Sequence, residues 1–424
     1  MKQHTLRSTL VLAAILSFSN LAHVNAGQLA AVLKSSYWIQ NDSTLWSWGR
    51  NFEHQLGHTS YLEHTKPTKV PGLNHIKKII PGENCAFILK DDGTLWGFGF
   101  CGTTGQLGLG STEISSPTRV PVGDAELIKQ VVNENYHTLA ITSYHRLYCW
   151  GINDHQQLSL DKTITSISKP RRLMSHEEFS RAAVGRNHSL AITRDGRLYA
   201  WGDNSHGQLC DGTTTLSAEP LQVATSVKTV VAARDITIII KRDGNMWVNT
   251  DAEHSEPIMG NVKGAYIADS IYVITNDATL WRLVDNEPVK VIDNVRKVST
   301  AGSMAFVVKT DNTLWDCSGS TPVLVLTNVS TVSTSGEHTL ALQRDGSLYA
   351  WGRNDQAQLG DNRHVSLTSP LFILKDAKPE PEVVEEDEFA ADEDVVYDDA
   401  DVNKDGIIDV GDVMAVINAM SRTK

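Results

Sequence analysis

The sequence predicts an all-β protein, a β-propeller of seven or eight blades, and three observations carry that prediction. A short phrase, cleanest as Asp195-Gly196-Arg197-Leu198-Tyr199-Ala200-Trp201-Gly202, recurs along most of the 424 residues. Its Leu-(Trp/Tyr) pair, or Met-Trp, begins at Leu45, Leu95, Leu147, Leu198, Met246, Leu280, Leu314 and Leu348, with spacings of 50, 52, 51, 48, 34, 34 and 34 residues. Upstream of each pair lies a strand of period-2 alternation, with no helical periodicity between units. A supersecondary unit repeated this often lacks a partner for one sheet face until its neighbour arrives, so the units must stack or close.

The first 26 residues read as a secretory signal. Lys2 and Arg7 form a charged start, Leu10 to Phe18 a short apolar run, and Val24-Asn25-Ala26 a small-residue cleavage site. They predict an exported protein, extracellular, on the cell surface or in the periplasm, with no membrane span once the signal is removed.

The body, residues 27–376, builds the propeller. In each unit an Asp-Gly turn closes a tight hairpin, because Gly accepts φ > 0, and the Leu and the Trp three places on supply most of the apolar surface. The net charge of −12 is almost all in the tail: 16 acidic and 4 basic residues fall from Asp376 to Lys424, while 34 acidic and 32 basic residues remain between Gly27 and Lys375. A nearly neutral body argues against nucleic acid as a partner. Five cysteines, Cys85, Cys101, Cys149, Cys210 and Cys317, include no C-x-x-C pair, so neither a disulfide framework nor a zinc site is legible. His137, His188 and His338 recur at one repeat position, where unit two places Cys85. They read as part of the repeat's structure, since a shared coordination sphere would need three separated blades to converge.

The segments Gly185 to Gly212 and Gly336 to Asp361 join a His, an apolar strand, Asp-Gly-x-Leu-Tyr-Ala-Trp-Gly, then Asn and Gln-Leu. Leu45 to Gly57, Leu95 to Gly108 and Leu147 to Leu158 are partial copies. This pattern resembles the regulator of chromosome condensation repeat, a family that implies a propeller, usually of seven blades. Eight hairpins are countable here, and closure by the Phe372-Ile373-Leu374 strand onto the first unit is expected. Units five to seven keep Leu and Trp but lose Trp-Gly-x-Asn and Gln-Leu-Gly. Each is about 16 residues shorter by the spacings above. One rim is therefore expected to be lower over three adjacent blades. The loops near Glu253 to Pro257 and Asp285 to Pro288 are candidates for a docking face.

Residues 377–400 form an acidic linker, with Pro379, Pro381 and the run Glu385-Glu386-Asp387-Glu388. Residues 401–424 then read as a calcium loop and a helix. Asp401, Asn403, Asp405, Asp409 and Asp412 stand at places one, three, five, nine and twelve, with Gly406 at six and the carbonyl of Ile407 at seven. A hard cation such as Ca2+ takes six to eight oxygens, and alternate residues of a tight loop point theirs inward. Asp at place twelve followed by a short helix resembles one copy of a dockerin. That resemblance implies a small α-helical module whose docking residues are Val410, Gly411, Val413, Val416, Ile417 and Met420, and a cohesin-like or other exported protein as partner. Dockerins usually carry two copies, and here there is one.

No G-x-S-x-G, H-E-x-x-H or phosphate-binding Gly loop is present. No catalytic residue is assigned. The function expected is that of a secreted, non-enzymatic binding protein whose propeller face docks a macromolecule and whose tail attaches it. A component or enzyme of an extracellular polysaccharide-processing assembly of the cohesin-dockerin type, with carbohydrate as ligand, is the alternative. Guanine-nucleotide exchange is a second alternative, which export disfavours.

Overall fold

The computed structural model describes residues 28–376, apart from 83, 102–104, 111–112, 124–125 and 135. The signal segment, the acidic linker and the whole calcium-loop segment, from Asp401 through Asp412 to Met420, lie outside the described residues. Every regular element among the described residues is a strand. The strands form eight antiparallel sheets, seven of four strands and one of three. Of the two blade counts the sequence left open, the structure has eight.

Each blade is one continuous run of chain, from inner to outer strand. The inner strands are Leu29–Val32, Ile76–Pro81, Ile128–Asn133, Phe179–Val184, Val227–Ala233, Val262–Ile267, Val295–Ala301 and Val329–Thr334. Each packs on the next, and Val329–Thr334 packs on Leu29–Val32, which closes the ring. The Phe372 strand does not join the first blade. It is the outer strand of blade 8, Leu367–Lys375, and Phe372 lies opposite Tyr349. Closure comes instead from side chains: Leu29, Ala31, Trp38 and Trp48 of blade 1 share a buried cluster with Leu340, Leu342, Leu348 and Leu359 of blade 8. Two edges that each bury an apolar face gain by meeting, and the free energy scales with the area they remove from water.

The hairpin turn behaves as its residues dictate. The turn residue before the third strand has positive φ in all eight blades, occupied by Gly93, Gly196, Gly244 and Gly346 in four and by Ser43, His145, Ala278 and Asn312 in the others. The preceding Asp supports the turn where it is present. Asp92 Oδ1, for instance, accepts from the Thr94 amide at 2.9 Å and its hydroxyl at 2.6 Å. These carboxylates are turn formers.

The Leu or Met that opens the third strand is at most 1% exposed in all eight blades. The large aromatic slot lies three residues later, filled by Trp48, Phe98, Trp150, Trp201 and Trp351. In blades 5 to 7 that slot holds Asn249, Leu283 and Cys317. The Trp residues that persist there, Trp247, Trp281 and Trp315, occupy the position after the Leu or Met, and Trp247 is buried in the core cluster shared by blades 4 and 5. Trp281 and Trp315 are only half-buried. The core of these blades therefore keeps its Leu or Met and, in blade 5, its Trp, while smaller side chains fill the slot three residues on.

Cys85 and Cys101 form a disulfide within blade 2, while Cys149, Cys210 and Cys317 are buried and unpaired. The bonded pair has a local logic. Cys85 lies opposite Gly99 across the hairpin, which brings its side chain to the segment carrying Cys101.

Candidate partner-binding face

The two ends of the ring are chemically unlike. At the lower end lie the Asp-Gly turns and the starts of the inner strands. At the upper end lie the connections from third to outer strand, and their length divides the molecule. In blades 1, 4 and 8 they run from Gly49 to His64, Gly202 to Ser217 and Gly352 to Leu367. In blade 6 only Asp285 and Asn286 separate Val284 from Glu287, both at positive φ.

Four of the five long loops are built on one buried asparagine each, Asn51, Asn153, Asn204 and Asn354. The Asn204 side-chain carbonyl accepts the Leu209 amide at 2.9 Å, and its amide reaches Asp211 and Thr213. Asn153 and Asn354 do the same with Leu158 and Leu359, each at 2.9 Å. Before each of these asparagines runs the Trp-Gly pair. Gly202 has φ +102°, and a Cβ there would lie 2.5 Å from the Asn187 carbonyl, so no other residue fits without moving the backbone.

The Gln-Leu segment of the loops in blades 2, 3, 4 and 8 holds the next blade. The carbonyl of Gln157 in blade 3 accepts from Trp201 Nε1 at 2.8 Å and from Ser189 Oγ at 2.8 Å in blade 4. The carbonyl of Gln358 in blade 8 accepts from Trp48 Nε1 at 2.9 Å and Ser36 Oγ at 2.7 Å in blade 1. The recurring histidines complete this arrangement. His137 Nε2 meets Ser189 Oγ at 2.8 Å, His188 Nε2 meets Thr237 Oγ1 at 2.8 Å, and His338 Nε2 meets Ser36 Oγ at 2.7 Å. Because each hydroxyl gives its proton to a carbonyl, the imidazole must donate its Nε2–H to the hydroxyl oxygen. Burial holds these imidazoles neutral, with pKa values lowered to about 3, 4 and 3 for His137, His188 and His338. The three histidines fasten three different seams, and no group of three or more potential metal ligands exists among the described residues. The structural reading of this position holds.

Over blades 5 to 7 the upper end is low, as the shorter units predict, but the two candidate loops are not neighbours on it. Glu253 lies along the outer edge of blade 5, where a fourth strand is missing, with its carboxylate on Thr225 N at 2.7 Å and Lys241 Nζ at 3.1 Å. Asp285 to Pro288 does lie on the upper end. With it come Asp235, Asp251, Asp269 and Asp316, against Arg234, which pairs with Asp269 at 3.2 Å, and Arg282, which holds in blade 6 the place of Asp316 in blade 7. Asp269, Asp285, Asn286 and Glu287 are exposed. Toward the outer edge, Val284, Val289, Val323 and Leu324 are 44 to 60% exposed. The low sector is thus an acidic floor beside an apolar margin, a combination that individual loop sequences do not reveal.

Models of the regulator of chromosome condensation (RCC1) repeat match residues 42–89, 92–141, 144–192 and 195–240, and also 180–208 and 329–358, together just over half of the chain. The chain belongs to the regulator of chromosome condensation repeat family. Each of the four longer matches starts at the turn before the third strand of one blade and ends in the second strand of the next. The matched spans stop at 240 and resume at 329, across the low sector. The ultraviolet-B receptor UVR8 of Arabidopsis thaliana is 32% identical over 181 residues, covering 42% of this chain and 41% of that protein. The guanine nucleotide exchange factor SRM1 of Saccharomyces cerevisiae is 27% identical over 199 residues, covering 42% and 41%. The human E3 ubiquitin-protein ligase HERC2 is 29% identical over 192 residues, covering 44% of this chain and 4% of that protein. The chain thus spans less than half the length of these curated relatives. Among solved structures, human WBSCR16 has a TM-score of 0.56 at 18% identity, with 78% of this chain and 94% of that one covered. Yeast RCC1 (Prp20), solved with Kap60 bound, has a TM-score of 0.56 at 16% identity, with coverages of 88% and 91%. At these identities the likeness is one of fold.

Proposed function

We propose that this protein is an exported, non-enzymatic binding protein whose low sector over blades 5 to 7 docks a basic protein partner, and whose calcium-loop tail attaches it to a second protein such as a cohesin-like module. The observation that carries the docking reading is the acidic floor with its apolar margin, where three neighbouring blades have given up their tall loops. A protein interface needs an apolar anchor inside a charged surround, and complementary charge sets the rate and choice of partner. The family supports a scaffold role: relatives named as a receptor, a ubiquitin ligase and an exchange factor share the repeat, and one yeast propeller was solved with a protein bound to it. In the tail, Asp401, Asn403, Asp405, Ile407, Asp409 and Asp412 would supply the oxygens for Ca2+.

The test is capture from the exported proteins of the source cell on immobilised wild type and on two variants. Asp285→Lys with Glu287→Lys reverses charge in the low sector, and Asp203→Lys with Asp355→Lys does so on the tall rim. The reading requires that the first variant loses the captured protein while the second keeps it. Equal capture by all three overturns it. For the tail, calorimetric titration of a peptide spanning Asp398 to Lys424 should release heat on adding Ca2+, and Asp401→Ala with Asp412→Ala should abolish that heat.

A further inference from the structure

The outer strands form the perimeter of the ring, and each ends its sheet with backbone donors and acceptors that no further strand pairs. Such an edge is a template for another chain. Folded proteins blunt it with proline, which removes a donor, or with charge, which resists being covered. Six of the seven outer strands among the described residues have both devices. Their prolines are Pro67, Pro117, Pro170, Pro220, Pro288 and Pro370, and their exposed charges include Lys69, Arg119, Arg171, Glu219, Lys290 and Lys375.

The seventh has neither. The outer strand of blade 7 is Val323-Leu324-Val325-Leu326, with Pro322 just outside it. No charged residue occurs from Cys317 to Gly336. The acid nearest across the hairpin is Asp316, opposite Val323, and its Oδ1 accepts the Ser318 amide at 2.9 Å. Val323 and Leu324 are 60% and 49% exposed, while Val325 and Leu326 are half-buried against the core that blades 7 and 8 share. Among the described residues, no backbone group outside the sheet bonds to these four. The flanking outer strands add exposed Val289 in blade 6 and Phe372 in blade 8.

The neutrality of this edge selects its occupant. A strongly charged segment would find no counter-charge there. Two copies of an uncharged strand meet without repulsion, and a two-fold axis sets them antiparallel, the more stable way for strands to pair. We propose that blade 7 pairs with blade 7 of a second copy of this chain, edge to edge across a two-fold axis, so that two four-stranded sheets become one of eight. Main-chain hydrogen bonds make the ladder, and Val323 and Leu324 supply its apolar contact. Four residues give a short ladder, so the two copies associate and part with concentration. The inference goes beyond partner docking and does not rest on it: it gives the blade 7 part of the apolar margin an occupant of its own.

The experiment is sedimentation velocity on the full chain over a wide range of concentration. Wild type should shift from monomer to dimer as concentration rises, and hydrogen exchange at the Val323 to Leu326 amides should slow in step. Val323→Lys/Leu324→Lys should weaken the association by roughly tenfold or more, because each substitution counts twice in a two-fold contact. Val323→Glu/Leu324→Glu should weaken it likewise, and an equimolar mixture of the two variants should dimerise again, since opposite charges then face each other. Leu221→Lys, on the outer strand of blade 4, should leave the dimer unchanged. Thermal melting confirms that the variants are folded; if a charged pair is not, the concentration dependence of exchange in wild type decides. The proposal is overturned if wild type stays monomeric, if the Lys pair dimerises as wild type does, or if mixing the two charged variants restores nothing. A monomer whose Val323 to Leu326 amides are already protected also overturns it, and gives the edge to another segment of the same chain.

Discussion

The seam between blades 3 and 4 and the seam between blades 5 and 6 do the same job with different chemistry. At the first, His137, Ser189, Trp201 and the Gln157 carbonyl form a buried hydrogen-bonded staple. At the second, Ala233, Ile238, Ile240, Met246, Val262, Ile267 and Leu283 form an apolar cluster. The staple's acceptor belongs to the long loop, so a blade that loses its loop takes the acceptor away from its neighbour. A buried hydroxyl or indole N–H left without a partner costs about 1 to 3 kcal/mol. The donors have gone together with the loops: the hydroxyl position becomes Ile271 in blade 6 and Ala305 in blade 7, and the Trp slot becomes Leu283 and Cys317. At the seams between blades 5 and 6 and between blades 6 and 7, loop height and seam polarity have therefore changed together.

Five substitutions probe that contrast. Trp201→Ala should cost about 3 to 5 kcal/mol by urea denaturation, since it empties a fully buried slot and removes one of the two donors to the Gln157 carbonyl. Trp281→Ala, half-buried on blade 6, should cost about 1 kcal/mol; similar losses at both sites would mean that the staple adds nothing beyond packing. The second test is acid. His137, His188 and His338 have folded pKa values near 3 to 4, below the unfolded value of 6.5. The unfolded chain then binds more protons between those limits. The associated stability is full above pH 6.5 and is lost as pH falls toward the folded values, by on the order of 1 to 3 kcal/mol per histidine. Melting temperature should drop between pH 7 and 4.5, and His188→Leu should flatten that slope. Hydrogen exchange should show the stapled blades, rather than blades 6 and 7, loosening first in acid. The smallest effects belong to the loops. Asn204→Ala should cost about 1 to 2 kcal/mol and open the Asp203 to Leu216 loop to protease. Asn286→Gly, at φ 66° in the two-residue hairpin of blade 6, should change stability by less than about 1 kcal/mol.

Much of the fold was legible because its machinery repeats. The Leu-(Trp/Tyr) spacing marked every blade, and the shorter units marked the low sector. What escaped the sequence reading depends on register and on where one strand lies against another. The Trp of Leu-Trp and the Trp three residues later look interchangeable until the hairpin register assigns the second to the core. Glu253 looked like a rim residue, but with no outer strand in blade 5 the chain descends the blade edge and carries it to Lys241. Cys85 stood at the histidine position, and an odd cysteine count hid its pairing with Cys101.

Each of the four longer matched repeats is split between two blades, and every blade but the last leads through backbone into the next. Seven of the eight seams are therefore crossed by the chain itself. The seam between blades 8 and 1 alone is not, and it joins the inner strand that begins the described chain to the blade that ends it. It is also among the fully stapled seams, through His338, Ser36, Trp48 and the Gln358 carbonyl, and it is tied above by Thr65 to Asn362 and by Glu63 to His364. It acts as a latch. A load pulling the chain's two ends apart would bear on it before any other junction, and the ring can open there without breaking a covalent bond.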